Sequence, residues 1–161
     1  MPYRPRRHAA TAMLALTLAF GATCARAAES AAPSTPDSLS AARAQIAAKK
    51  WPAAVAELKR VNDAGSAEWN NLMGYSLRKS AAPDYVAAEK YYDEALRIEP
   101  QHRGALEYSG ELYLITGNLP KAEARLAALD KACRLPCEEY TDLKKSIERY
   151  KANGNKVVAK Q

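Results

Sequence analysis

Few residues in this chain have the chemistry to oxidise, cut or hold a ligand, and Cys133 and Cys137 stand first among them. Four positions apart, they can close a disulfide if the turn before Pro136 brings them together. Three readings stay open for the pair: a structural clip between two helices, two free buried thiols, or a redox-active or copper-handling site. Redox dithiols usually space their cysteines by two residues rather than three. Zinc would need two further ligands that the neighbouring sequence does not offer. Beyond residue 27 the only histidine is His102, so neither a histidine-dependent triad nor a histidine-rich metal site can be assembled. No nucleophile elbow, phosphate-binding loop or His-Glu-x-x-His motif is present. The acidic pairs Asp93-Glu94 and Glu138-Glu139 fit solvated helix faces, and Tyr91, Tyr92, Tyr108 and Tyr113 fit a repeat core. The residues point to no enzyme, no cofactor and no metal.

The elements that must position these groups are helical. Residues 69–78 (WNNLMGYSLR) and 104–115 (GALEYSGELYLI) read as short helices in which Gly74 and Gly110 hold matching places 36 residues apart. A turn follows each, at 81–84 or 117–118, and then a second helix opened by 87–96 (AAEKYYDEAL) or 121–126 (KAEARL). Pro100 and Pro136 close the second helices, while Pro52, Pro83 and Pro120 suit first turns, where a missing N–H costs nothing. One helix pair per period of this length predicts an all-α solenoid.

The residues resemble the tetratricopeptide repeat. That family takes a small residue in the middle of the first helix, here Gly74 and Gly110, because a Cβ there would hold the two helices of the pair apart. Its alanine early in the second helix is matched by Ala88 and Ala122, the aromatic one turn later by Tyr92, a second alanine by Ala95 and the closing proline by Pro100. In the second unit Leu126 replaces the aromatic, Leu129 replaces the second alanine and Pro136 comes two residues late. The resemblance implies a right-handed α-solenoid of about 2.5–3 helix pairs plus a C-terminal capping helix.

It also implies a concave groove lined by first helices. With Met73, Gly74 and Leu77, then Leu106, Gly110 and Tyr113, assigned to the core, a second stripe turns outward into that groove: Glu68, Asn71, Tyr75 and Arg78 in one repeat, and Gly104, Glu107, Glu111 and Leu114 in the next. Leu39, Arg43 and Ile46 extend it. Asn71 suits hydrogen bonding to a backbone, Tyr75 stacking and Arg78 receipt of a carboxylate. Tyr75 and Arg78 are therefore expected to be largely exposed.

The flanks read as a worn copy and a cap. Ser38 or Ser40 can start a helix whose Leu39, Ala42 and Ile46 match Ala54, Leu58 and Val61 on a partner, with Ala42 standing where the glycine belongs. After Pro136, Tyr140, Leu143, Ile147 and Tyr150 share one helix face, and Glu138 and Glu139 suit the positive end of the helix dipole. The organisation is thus a signal peptide at 1–27, a disordered linker at 28–37, a degenerate helix pair at 38–66, repeats at 67–102 and 103–135, a capping helix at 136–152 and a flexible tail at 153–161.

Residues 1–27 carry Arg4, Arg6 and Arg7, then the apolar run 13–20 (MLALTLAF) and Ala25-Arg-Ala27, the pattern of an export signal cleaved after Ala27. Its apolar core is shorter than the ~20 residues needed to span a bilayer. Cleavage would leave no stable membrane span and a periplasmic protein. It would also remove four arginines and no acid, lowering the formal charge from +6 to +2. That small excess excludes nucleic acid as the expected partner. The function expected is a non-catalytic interaction module, an adaptor or assembly factor that binds a peptide or protein in the groove or associates weakly with itself. The rival is a periplasmic thiol-redox or metal-delivery protein using Cys133 and Cys137.

Overall fold

Four helices begin at a side chain that accepts a hydrogen bond from a backbone N–H three residues on. A computed structural model shows them. It describes residues 37–135 and 137–156. The expected signal peptide, nearly all of the linker, Pro136 and residues 157–161 lie outside the described residues. Ser66 accepts from Trp69 and starts α3 (Ala67–Lys79); Asp84 accepts from Ala87 and starts α4 (Tyr85–Ile98). His102 Nδ1 accepts from Ala105 at α5 (Arg103–Ile115), and Asn118 accepts from Lys121 at α6 (Leu119–Ala132). Each cap satisfies one of the orphan donors of a first turn.

The remaining helices are α1 (Ser40–Ala47), α2 (Trp51–Val61) and α7 (Glu138–Ala152). Neither Ser38 nor Ser40 caps α1; Asp37 accepts from the Leu39 N–H at 3.0 Å instead. Pro52 and Pro120 lie in the first turns of α2 and α6, whereas Pro83 precedes the cap of α4. Asn62 ends α2 in the left-handed conformation, at φ 52°.

Successive helices pack as antiparallel neighbours, α1 on α2, α3 on α4 and α5 on α6, with α7 closing on α5 and α6. The apolar residues form a procession of clusters rather than one centre. The first joins Leu39 and Ala42 of α1, Leu58 of α2, and Trp69, Leu72 and Met73 of α3, and Trp69 Nε1 donates to the Leu58 carbonyl at 2.7 Å. The second holds Ala88, Tyr92 and Ala95 of α4 between Ala67 of α3 and Ala105 and Leu112 of α5. The third packs Leu106, Tyr113 and Leu114 of α5, Ala122 and Leu129 of α6, and Leu143, Ile147 and Tyr150 of α7. Each cluster draws only on adjacent helices, which is the one-dimensional economy of a solenoid.

The two glycines are packing positions, with different neighbours. A Cβ on Gly74 would lie 2.8 Å from the ring of Tyr92 on α4, so that glycine lets the helices of its own pair close. A Cβ on Gly110 would meet Leu143 of α7 at 2.5 Å, not the second helix of its pair. Leu126, in the place of Tyr92, is only half-buried, and the cap helix supplies the contact.

Candidate interaction groove

The first helices α1, α3, α5 and α7 share one side of the solenoid and α2, α4 and α6 the other. On the first side α3 approaches α5 directly, and α5 approaches α7. On the second side α4 and α6 are bridged by long side chains: Lys121 reaches Glu89 at 3.0 Å and Arg125 reaches Asp93 at 2.9 Å. The tighter spacing makes the side of α3, α5 and α7 the inner one.

Arg78 is the centre of that inner side. Its Nη2 donates to Glu111 Oε2 at 2.8 Å, linking α3 to α5. The same guanidinium lies 5.5 Å from the ring centre of Tyr75 and 5.6 Å from that of Tyr108. Those rings are 4.6 Å apart, and Trp51, at the start of α2, meets Tyr75 edge-on at 5.8 Å. Helical spacing explains the assembly, because Tyr75 and Arg78 on α3, and Tyr108 and Glu111 on α5, are each three residues apart and share a face. A guanidinium paired with a carboxylate and stacked on two rings is well suited to burial.

This arrangement corrects the exposed stripe expected from the sequence. Asn71, Arg78, Glu107 and Leu114 expose only 4%, 6%, 9% and 5% of their surface. Direct approach of neighbouring first helices covers them; Leu114 belongs to the core shared with α6 and α7. Tyr75, Tyr108, Glu68 and Glu111 stay half-buried and Arg43 exposed. Trp51 and Tyr108 join the inner face although their periodicity assigns them no such place. The aromatic content of 51 and 108 was the available signal, and helix rotation decided its use.

A second polar group sits at the α1 end. Glu68 accepts from Arg43 at 3.0 Å and from Asn71 Nδ2 at 3.2 Å, and His102 Nε2 faces it at 3.2 Å. Arg43 also pairs with Asp37. Burial works against ionisation of Glu68, but hydrogen bonds from His102, Arg43 and Asn71 outweigh it and bring the carboxyl down to about 2. The hydrogen bond to Glu68 in turn raises His102 above the ordinary imidazole value. Gly104 permits this junction, since a Cβ there would press to 3.0 Å from Asn71 Nδ2.

Glu107 is the odd member. It lies one turn before Glu111 on α5, is buried, and makes no hydrogen bond or ion pair. Burial, reinforced by the negative charges of Glu111, Asp142 and Glu139, raises its carboxyl to about 8 against a weaker opposing pull from Arg78.

The structure joins Cys133 to Cys137 in a disulfide, with Cα atoms 5.9 Å apart, across the turn between α6 and α7. No group of three or more His, Cys, Asp or Glu among the described residues could hold a metal ion. No helix among them is long and apolar enough to cross a membrane.

Consecutive antiparallel helix pairs, small residues at their crossings and an inner side of first helices define a repeat solenoid of the kind that mediates protein–protein interaction. Residues 81–147, from the turn before α4 into α7, match the tetratricopeptide repeat family. No curated protein and no solved structure matches the chain.

Proposed function

We propose that this chain is a non-catalytic adaptor or assembly factor that holds a peptide or protein segment along the inner side of α3, α5 and α7. The observation that carries this reading is the aromatic band Trp51–Tyr75–Tyr108, braced from within by Arg78 and left half-open to solvent. Half-buried aromatic rings with fixed rotamers offer apolar contact area at little entropic cost, which is how interface anchors work. The groove extends from Arg43 and Glu68 at one end to Glu111 and Glu107 at the other. Export across the inner membrane, with cleavage after Ala27, fits the arginine-led apolar start of the chain and makes the partner periplasmic. In that compartment the Cys133–Cys137 bond acts as a passive clip between α6 and α7.

A photo-crosslinking amino acid at Tyr75 or Tyr108, set against one at Ala124 on the exposed face of α6, tests the groove. Discrete adducts from the first two positions and none from the third are expected. Adducts from Ala124 alone would move the binding surface to the opposite side. The intact mass of the protein from a periplasmic extract tests export, with a mature chain starting at Ala28 as the expected product.

A further inference from the structure

We propose that the α5–α7 end of the groove is a pocket for a cationic side chain, an arginine or lysine presented by the peptide partner, with Glu107 as its anchor. This rests on the groove being the interaction surface and specifies what that surface recognises there.

The two ends of the groove differ in how their acids are matched. Glu68 has three donors within 3.2 Å, from Arg43, Asn71 and His102. Glu111 has Arg78 at 2.8 Å. Glu107 has none, although it is the most deeply covered acid on that side, 9% exposed, and Glu111, Glu139 and Asp142 stand around it. The neighbouring cations are engaged at the rim, Arg103 at 3.7 Å from Glu139 and Lys145 at 3.7 Å from Asp142. Arg78 is committed to Glu111 and to the faces of Tyr75 and Tyr108. The Glu107 oxygens keep a narrow opening to solvent, and a carboxylate so largely covered is disfavoured in its charged form unless something charged or hydrogen-bonding joins it. Within the protein that cost is met by holding the proton, since the carboxyl titrates at about 8.

A cation from a partner would remove the cost differently. Its approach favours the ionised carboxylate, so the Glu107 proton leaves to solvent as an ion pair forms with the incoming ammonium or guanidinium. The chain already shows that this wall accepts such a group: Arg78 occupies the same kind of setting one turn further along, a guanidinium against Tyr108 with a glutamate of α5 at its end. Glu107 and Glu111 are four residues apart on α5 and therefore neighbours on one face. Proton release gives the site a signature that a merely structural glutamate lacks: binding must tighten as pH rises toward 8.

The probes are three fluorescein-labelled ten-residue Ala/Ser peptides, identical except for one central arginine, lysine or citrulline, the last a neutral isostere of arginine. They are titrated into the mature protein by fluorescence anisotropy at pH 6 and pH 8.5. The arginine or lysine peptide is expected to bind at least tenfold more tightly than the citrulline peptide, and more tightly at pH 8.5 than at pH 6. Glu107→Gln should abolish both the preference and the pH effect while its melting temperature shows a folded protein; Asp130→Asn, on the exposed face of α6, should keep both. Equal binding of charged and citrulline peptides, or a preference that survives Glu107→Gln, would overturn the cation pocket while leaving the groove standing. Binding of no peptide would also overturn it, and the cross-links at Tyr75 and Tyr108 would then decide the groove separately.

Discussion

Arg78 on α3 and Glu111 on α5 face each other at 2.8 Å, with the arginine side chain almost wholly buried and the glutamate one-third open to water. Two neighbouring repeats are thereby joined through one guanidinium that also supports the rings of Tyr75 and Tyr108. What looks from the sequence like a free binding cation is a strut inside the groove wall.

Removal of that strut should be felt in folding. Arg78→Ala leaves Glu111 without its partner and two rings without their support, and a loss of about 1–3 kcal/mol is expected, discounted from a fully buried pair because Glu111 is partly solvated. A double-mutant cycle with Glu111→Ala in urea unfolding should show coupling of about 0.5 kcal/mol or more. Additive effects would mean that the pair contributes nothing across the repeat boundary.

The glycines predict a contrast. Gly74→Ala and Gly110→Ala place a methyl at 2.8 Å from Tyr92 and 2.5 Å from Leu143, whereas the nearest atom to a Cβ on Gly65 is 3.9 Å away. The first two should each cost about 1–3 kcal/mol through overpacking, and Gly65→Ala almost nothing. Because Leu143 is the obstacle at Gly110, the penalty of Gly110→Ala should shrink in a Leu143→Ala background. Thermal melts of the three glycine variants, of Leu143→Ala and of Gly110→Ala with Leu143→Ala decide it.

Glu68 sets an acid limit. Its folded value is depressed to about 2 from an ordinary 4.5, so the stability it contributes is present above about 4.5 and is lost as pH falls toward 2. Glu68→Gln should therefore destabilise at pH 7, by roughly 1 kcal/mol for a half-exposed hub, and its deficit relative to the parent should vanish near pH 2. Denaturant unfolding at several pH values measures this.

Glu107 has the opposite sign. Its folded value is raised to about 8, so between about 4.5 and 8 the folded state binds more protons than the unfolded one, and stability falls as pH rises through that interval. Glu107→Gln removes the titration. The variant should match the parent near pH 4.5 and melt at a higher temperature than the parent at pH 8.5.

The Cys133–Cys137 bond closes a very short loop. Constraint of the unfolded chain by so small a ring is worth about 2 kcal/mol, and its effect should be confined to the α6–α7 junction. Cys133→Ser with Cys137→Ser should lower the melting temperature modestly and speed amide exchange in the first turn of α7, leaving α3 and α4 unchanged. A double variant that melts like the parent but loses its cellular role would favour thiol chemistry.

The helices, their order and their small-residue crossings were legible along the chain because they depend on local periodicity and on where prolines fall: Gly74, Ala88, Tyr92 and Ala95 repeat at helical spacing, whereas the caps at Ser66, Asp84 and Asn118 emerge only in the structure, and the expected cap at Ser38 or Ser40 does not form. The rotation of one helix against the next is not written in that period. It depends on side-chain volumes across the interface, and it turned Arg78 and Asn71 inward, brought Tyr108 beside Tyr75 and put Leu143 rather than Leu126 against Gly110. Charge partners such as Arg78 and Glu111 are 33 residues apart. Only the close approach of α3 to α5 makes them a pair, and only that of α7 to α5 leaves Glu107 buried without one.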